Sequence, residues 1–239
     1  MKKQQVYIWI KNNLFAQCIL CLGSNPHPDT QLCGGCEADL PWQQACCQRC
    51  ALPLPHPAQQ CGRCLNAPPP FSHALAPLIY RFPVDSLIPA FKYHGQTSIG
   101  RLLGQLLAEA AADWLQQDIT PCPDLLLPVP MHRKRQAQRG YNQACELARD
   151  IARRTQLRCR PELLERTRST LPQQGLDAKA RRQNLRGAFS CPRPEHLQGK
   201  HLALIDDVMT TGVTLSEASQ TLLKAGAASV QVWCVARTP

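Results

Sequence analysis

Four pairs of cysteines, each pair separated by two residues, lie close together in the first third of the chain. They stand in the segments CILC, CGGC, CQRC and CGRC, and the eight thiols are Cys18, Cys21, Cys33, Cys36, Cys47, Cys50, Cys61 and Cys64. A C-x-x-C turn presents two thiolates together, and two such turns complete the tetrahedral set of four soft ligands that Zn²⁺ prefers. The spacing therefore predicts two structural zinc sites, with no ligand position left open for chemistry.

The order of the pairs favours joining the first with the second and the third with the fourth. A crossed pairing of the first with the third stays open, and Cys46 is a neighbouring thiol that could replace Cys47. A disulfide framework or a redox dithiol is the competing interpretation. Because little else in residues 18–64 could form a core, we expect the metal to supply the folding energy.

The apolar segments are too short to take the chain into or across a membrane. The run over residues 6–10 is shorter than the core of a signal peptide, and no small-residue cleavage site follows it. No stretch approaches the ~18 apolar residues of a membrane span. We expect a cytoplasmic protein without membrane insertion, whose thiols stay reduced.

Positive charge is concentrated in one part of the chain. The whole chain has a formal charge of +10, from 27 Lys and Arg against 17 Asp and Glu. Residues 131–200 alone hold 17 Lys and Arg against 6 Asp and Glu, which accounts for the whole excess. This distribution indicates a polyanionic partner such as nucleic acid or a phosphate ligand, rather than a basic surface that only favours solubility.

Three consecutive prolines, Pro68 to Pro70, stiffen the chain and predict a domain boundary near residue 70. Residues 1–70 would form a small Cys-rich double zinc ribbon, and residues 71–239 an α/β domain. In the second part apolar runs alternate with segments of helical periodicity. Strands are expected over residues 74–82, 124–130, 201–206 and 229–236, and helices over 98–117, 140–155 and 213–226. This alternation predicts a mostly parallel sheet with helices on both faces.

The segment LALIDDVMTTGVTLSEA, residues 202–218, combines a buried strand, two aspartates and a loop of hydroxyls before a helix. A helix N-terminus after a small-residue loop binds phosphate. Asp206 and Asp207 would stand beside that phosphate, accept hydrogen bonds from ribose hydroxyls and contact the hydration shell of Mg²⁺. The pattern predicts a site for a phosphorylated ribose. The competing interpretation is that Asp207 and Thr214 only cap and turn the chain.

LALIDDVMTTGVT resembles the phosphoribosyl-diphosphate (PRPP) loop of type I phosphoribosyltransferases. The resemblance implies that Asp206 and Asp207 are catalytic residues that contact the ribose hydroxyls, and that the loop holds the 5′-phosphate. The PRPP-binding residues that it implies are Asp206, Asp207, Val208, Met209, Thr210, Thr211, Gly212, Val213 and Thr214.

Two further segments, VPMHRKRQAQRGYNQACELA and QNLRGAFS, stand behind the cysteine-rich part and resemble the ComF/GntX family. The resemblance extends over residues 18–238, with Tyr141 where members often have Phe. It implies a type I phosphoribosyltransferase-like domain behind a double zinc ribbon. It also implies a competence or DNA-utilisation protein that handles incoming single-stranded DNA in natural transformation. PRPP or a related ribose phosphate with Mg²⁺ is the implied ligand, and a helicase-type competence protein is an implied partner.

The loop after the strand over residues 124–130 is strongly basic. In phosphoribosyltransferases, which this part of the chain resembles, the loop after the first core strand holds pyrophosphate. Fork-shaped cationic donors suit that group. The candidate residues, for pyrophosphate, another phosphate or a DNA backbone, are His132, Arg133, Lys134, Arg135 and Arg139. A solvated basic loop without a ligand is the competing interpretation.

Two other segments could contact nucleic acid. Residues 165–189 are polar and basic, and we expect a cover over the site with phosphate affinity from Arg166, Arg168, Lys179, Arg181, Arg182 and Arg186. In the segment AFKYHG, Phe91 and Tyr93 flank Lys92 and could stack unpaired bases. Alternatively both aromatic residues belong to the core and Lys92 is exposed.

The same site admits a rival function. A working Mg²⁺-dependent phosphoribosyltransferase would transfer the ribose phosphate to a base or amine acceptor that the sequence does not identify. No base-specific pocket is recognisable in the sequence, and binding motifs persist without turnover, so the fold leaves this choice open. A PRPP-sensing regulator is a third interpretation.

Overall fold

The computed structural model describes residues 17–26, 30–56, 59–168 and 186–239. The apolar run over residues 6–10 lies outside the described residues. So do Lys179, Arg181 and Arg182 of the expected cover. Among the helices within the described ranges, none is long and apolar enough to span a bilayer.

The chain divides into two compact units, Met1–Pro41 and Trp42–Pro239. The smaller unit contains the first four-cysteine group and helix α1 (Gly34–Ala38). The larger unit contains the second four-cysteine group, helix α2 (Gly62–Asn66) and the whole sheet. The predicted domain boundary near residue 70 stays a prediction.

A mostly parallel sheet forms the centre of the larger unit, as the apolar strands predict. Its strands are β1 (His73–Leu75), β2 (Leu78–Ile79), β3 (Leu125–Pro128), β4 (Arg158–Cys159), β7 (His201–Met209) and β8 (Ser229–Arg237). The order across the sheet is β1-β8-β7-β3-β4, with β2 also on β8, and every pair is parallel. Two short strands, β5 (Glu165–Arg166) and β6 (Phe189–Ser190), form a separate antiparallel pair.

Helices cover this sheet, and three of them, α4, α6 and α7, lie where helical periodicity predicts them. They are α3 (Val84–His94), α4 (Thr97–Gln116), α5 (Arg133–Arg139), α6 (Gln143–Thr155) and α7 (Val213–Lys224). Helix α6 begins after Asn142, whose side-chain oxygen accepts a hydrogen bond from the amide of Ala144 at 3.1 Å and caps the first turn. Helices α4 and α6 pack against each other and against the sheet.

Both faces of the central strand β7 are buried, which explains its unbroken apolar run. Leu202 and Leu204 share an apolar cluster with Leu215 and Leu222 of α7. The residues that alternate with these two leucines are fully buried as well, so the opposite face of the strand is also covered.

Three local details differ from the expectations. Residues 74–82 form the two short strands β1 and β2 with Pro77 between them, because proline has no amide hydrogen for a ladder. The basic segment after β3 is the helix α5, which His132 caps by accepting the amide hydrogen of Lys134 at 3.3 Å. Strand β7 continues through Met209, beyond the expected end at residue 206, so both aspartates lie within the strand.

The second four-cysteine group is joined to the sheet by backbone contacts. The amide of Ala74 in β1 donates to the carbonyl of Gln48 at 3.1 Å, and the amide of Gln43 donates to the carbonyl of Pro77 at 2.8 Å. Ala51, fully buried, belongs to the same apolar cluster as the sheet and α7. These contacts explain why this group belongs to the larger unit.

The close approach of α3 and α4 at Gly100 generates a test of this packing. A Cβ at Gly100 would lie 2.3 Å from Cε2 of the buried Phe91. We expect Gly100→Ala to lower the free energy of unfolding by up to about 2 kcal/mol, because overpacking costs about 1–3 kcal/mol and Ala recovers roughly 1 kcal/mol of helix propensity. Urea unfolding measures the change. In a chain that also carries Phe91→Leu the contact is relieved, so the double variant should lose less than the two single losses combined. Unchanged stability in Gly100→Ala would contradict the packing described.

Candidate functional site

A cleft of about 1000 Å³ opens in the larger unit where β3 and β7 end. Its wall is formed by the C-terminal half of α3, helix α5, the first turn of α6, Arg166 of β5 and the end of β7. The residues that follow β7, which we name the hydroxyl loop (residues 210–214), complete it. Ligands of open parallel sheets bind at this edge, outside the carboxyl ends of the strands.

The hydroxyl loop turns sharply from β7 into α7. Gly212 has φ +75°, a left-handed conformation that glycine adopts without steric cost, and α7 begins at the next residue. The first amides of a helix have no partner within the helix, and the helix dipole is positive at this end. Three threonines, Thr210, Thr211 and Thr214, line the cleft beside these amides. The loop therefore combines the donors that an anion requires.

The two aspartates have different partners. Asp207 is buried, with 6% of its surface exposed, and its Oδ1 forms an ion pair with Nζ of Lys92 at 2.7 Å. Burial alone would lower the pKa of Lys92, but the carboxylate of Asp207 outweighs it and raises that pKa, so the lysine stays charged. The ion pair offsets the cost of placing a carboxylate inside a strand.

The carboxyl group of Asp206 bonds to the backbone rather than to a lysine. Its Oδ1 accepts a hydrogen bond from the amide of Asp207 at 2.9 Å. Burial and the neighbouring negative charge of Asp207 raise the pKa of Asp206 to about 7, although Lys92 acts in the opposite direction. A carboxyl group with this pKa exchanges its proton near neutral pH, and a cation in the cleft would displace that proton.

Arginines also line the cleft. Of the five basic residues predicted to hold phosphate, Arg135 and Arg139 belong to the described lining, and Arg166 joins them from β5. Burial, with the positive charge of Arg135 adding to it, lowers the pKa of Arg166. The remaining three, His132, Arg133 and Lys134, lie outside that lining, and their role as phosphate or DNA contacts stays a prediction.

The sequence allows two interpretations of the segment around Lys92: its aromatic residues stack unpaired bases, or they belong to the core. The structure has features of both. Phe91 is buried in the core with 1% of its surface exposed, whereas Tyr93 is 68% exposed at the cleft. The guanidinium carbon of Arg139 lies 4.9 Å from the centroid of the Tyr93 ring, and this arginine also donates to Oε1 of Gln143 at 2.8 Å. Tyr93 therefore presents an aromatic surface next to a fixed cation, and Lys92 is paired rather than free.

The base of the expected cover is the β5–β6 pair, in which Arg166 lies opposite Phe189. The Arg168 guanidinium donates to the carbonyl of Arg186 at 3.1 Å, and the amide of Gly187 donates to Oε1 of Glu217 at 2.7 Å. These contacts hold both ends of the segment, while residues 169–185 lie outside the described ranges. The cover itself stays a prediction.

Three contacts in and around the site are not predicted from the sequence. Lys92 is expected beside two aromatic residues, but its ion pair with Asp207 is not, because that partner lies more than a hundred residues away along the chain. Asn142 donates to the carbonyl of Val129 at 3.1 Å and so joins α6 to the end of β3; an Asn before a helical segment was the available signal. Arg237 at the end of β8 bonds backbone carbonyls, for which the sequence has no signal.

The eight predicted cysteines form two groups in chain order. Within each group all four sulfur atoms lie within 4.8 Å of one another, and Cys47 rather than Cys46 belongs to the second group. The Sγ atoms of Cys21 and Cys33 are 3.8 Å apart, and those of Cys50 and Cys61 are 3.7 Å apart. Tetrahedral Zn–S bonds of ~2.3 Å place the sulfur atoms ~3.8 Å apart, so both groups fit structural zinc.

Comparisons with known proteins cover nearly the whole chain. It is 36% identical over 207 residues to the DNA utilization protein YhgH of Escherichia coli O6:H1, covering 87% of this chain and 90% of that protein. It is 36% identical over 225 residues to Competence protein F of Haemophilus influenzae, covering 92% of this chain and 96% of that protein. No protein-family model matches the chain.

Among solved structures, the neighbours are phosphoribosyltransferases. The purine phosphoribosyltransferase from Pyrococcus horikoshii has 17% identity and a TM-score of 0.35, covering 56% of this chain and 72% of that chain. A likeness at this level carries no argument about the site.

The raised pKa of Asp206 predicts a pH dependence of stability. The folded protein keeps this proton up to pH about 7, whereas a free Asp releases it near pH 3.8, so the folded state loses stability as the pH rises through 7. Between pH 6 and 8 we expect a loss of about 1.4 kcal/mol relative to Asp206→Asn, which cannot titrate there. Urea unfolding of both proteins at the two pH values, with zinc present, measures the difference. Parallel pH profiles of the two proteins would contradict the assignment.

Proposed function

This chain belongs to the ComF family of competence and DNA-utilization proteins, and we propose that it handles incoming single-stranded DNA while its cleft binds PRPP or a related ribose phosphate with Mg²⁺. The observation that carries the ligand proposal is the cleft itself, where an acidic pair, a hydroxyl loop at a helix N-terminus and arginines meet. We place the protein in the cytoplasm, where incoming DNA arrives.

Each part of PRPP has a chemically suited group among the residues that line the cleft. The 5′-phosphate would bind the hydroxyl loop, whose amides and threonine hydroxyls are donors. The ribose hydroxyls would donate to Asp206 and Asp207. The pyrophosphate would face Arg135 and Arg139, because guanidinium groups bind phosphate oxygens in pairs.

Mg²⁺ fits the acidic pair, since it binds carboxylates while keeping several of its waters. When bound, it would supply the charge that neutralises the pyrophosphate oxygens. Asp206 would release its proton to the solvent as the cation enters. Lys92 holds Asp207 in place and keeps a positive charge next to the ribose site.

Single-stranded DNA would bind the basic surface next to the cleft. Arg133 and Lys134 on α5 are exposed, as are Arg168 and Arg186 on either side of the expected cover. Phosphate contacts of this kind give sequence-independent affinity. Tyr93 would add a stacking surface for an unpaired base. The zinc-binding groups would contribute a further surface for DNA or for a helicase-type partner.

A working phosphoribosyltransferase is the second candidate, and the acidic pair in the cleft favours it. With PRPP in the cleft, Asp206 and Asp207 would lie where positive charge develops as C1′ loses pyrophosphate, and Arg135 and Arg139 would bind the leaving group. A base or amine would be the acceptor. Release of pyrophosphate in the presence of candidate acceptors distinguishes this enzyme from a protein that only binds its ligand.

The proposal is tested by titrating fluorescent single-stranded DNA with zinc-loaded protein, with and without PRPP–Mg²⁺. We expect the affinity for DNA to fall at least about tenfold between ~50 and ~200 mM salt, because counterions are released on binding. PRPP–Mg²⁺ should change that affinity, because the arginines that would hold its pyrophosphate lie on the same helix, α5, as two of the basic residues that would hold DNA. Absence of DNA binding at low salt would refute the DNA role. It would indicate that the basic surface binds small phosphates instead.

Tyr93 gives a sharper test of how the DNA is held. Tyr93→Ala should weaken single-stranded DNA binding about 5- to 150-fold, because a base–aromatic stack contributes about 1–3 kcal/mol. The dependence on salt should be unchanged, because no charge is removed. Phe82→Ala is the matched control, since Phe82 is 77% exposed but absent from the described lining of the cleft. Equal losses in the two variants, measured by fluorescence anisotropy, would rule out a stacking role.

A further inference from the structure

One buried arginine joins the second four-cysteine group to the hydroxyl loop. Arg237, the last residue of β8, has 4% of its surface exposed. Its Nε donates to the carbonyl of Cys50 at 3.1 Å, and its Nη1 donates to the carbonyl of Met209 at 3.1 Å. The same nitrogen also donates to the carbonyl of Thr210. One guanidinium therefore bonds a metal-ligand residue and the start of the hydroxyl loop.

The burial of Arg237 is energetically costly and needs an interaction that offsets the cost. Burying a guanidinium costs several kcal/mol, and the partners of Arg237 described above are neutral carbonyls rather than a carboxylate. A zinc ion with four thiolates has a net charge of about −2, which would favour a cation beside the Cys50 backbone. The second four-cysteine group, when it holds its metal, supplies the negative charge that the arginine otherwise lacks.

We propose that Arg237 is a positioning residue through which the metal of the second four-cysteine group sets the affinity of the cleft for ribose phosphates. The inference rests on the proposed ligand of that cleft. It assigns to this group a role in ligand binding in addition to its role in folding. It assigns no such role to the first group, which belongs to the other compact unit.

The Cys50 carbonyl depends on the metal through the turn that carries it. The turn closes with hydrogen bonds from the amide of Ala51 to the carbonyl of Cys47 and from the amide of Cys47 to the carbonyl of Leu52. Ala51 adopts φ +51°, which is unfavourable for a residue with a Cβ. Without metal the thiols of Cys47 and Cys50 lose their common centre, and the strained turn loses that constraint.

At the hydroxyl loop, the hydrogen bonds of Arg237 orient the backbone donors. A trans peptide is planar, so its carbonyl and its amide hydrogen point in opposite directions. Holding the carbonyls of Met209 and Thr210 therefore orients the amides of Thr210 and Thr211. Both threonines line the cleft, so the position of Arg237 determines which donors a phosphate meets.

The experiment compares loss of one ligand cysteine from each group. Cys64→Ser removes a ligand of the second group without altering Cys50, and Cys36→Ser is the matched change in the first group. Zinc content is measured first, and PRPP–Mg²⁺ affinity then follows by isothermal titration calorimetry. We expect Cys64→Ser to weaken PRPP binding about tenfold or more, and Cys36→Ser to change it less than about twofold.

A second pair of variants separates positioning from general destabilisation. Arg237→Gln keeps the zinc but loses the bridge, and it should weaken PRPP binding as Cys64→Ser does. In the Arg237→Gln background, Cys64→Ser should cause no further loss, whereas two independent destabilisations would add. Arg237→Lys keeps the charge with fewer directed donors and should recover part of the affinity.

Hydrogen exchange of the amides at residues 210–214 tests the coupling without any ligand. We expect faster exchange in Cys64→Ser and Arg237→Gln, and unchanged exchange in Cys36→Ser. If the wild-type protein binds no PRPP, the proposed ligand fails while the exchange data still decide the coupling. Unchanged exchange after loss of the second metal, or equal loss of affinity in both cysteine variants, would overturn the inference.

Discussion

Parallel pairing of β7 between β3 and β8 is the constraint on which the site depends. Parallel strands end at the same edge, so the segments after β3 and the end of β7 form one cleft. Because both faces of the sheet are covered, the strands themselves are apolar until this edge. Asp206 and Asp207 interrupt the apolar run of β7, and the ion pair of Asp207 with Lys92 makes a buried carboxylate there tolerable.

The features that were predictable from the sequence are those encoded over short distances. The C-x-x-C pairs are local turns, the apolar runs of β7 and β8 follow from burial on both faces, and the hydroxyl loop stands next to its helix. The pairing of Lys92 with Asp207 and the bonds of Arg237 join residues that are far apart in sequence. No local pattern encodes such contacts, because they depend on how the elements pack.

The secondary structure also includes features that the local sequence encodes and features that it does not. The apolar run over residues 74–82 predicts one strand, but Pro77 divides it and the protein forms β1 and β2. The basic segment after β3 has no apolar periodicity, so nothing in it indicates the helix α5. Its helical form matters for the site, because it brings Arg135 and Arg139 to the cleft and leaves Arg133 and Lys134 exposed for another contact.

The central claim is that the cleft binds a phosphorylated ribose through the hydroxyl loop and the acidic pair. The most direct measurement is a crystal structure of the zinc-loaded protein with PRPP and Mg²⁺. The account predicts the 5′-phosphate at the amides of residues 210–214 and the ribose hydroxyls within hydrogen-bonding distance of Asp206 and Asp207. PRPP bound elsewhere on the protein, or an unchanged cleft at saturating ligand, would contradict it.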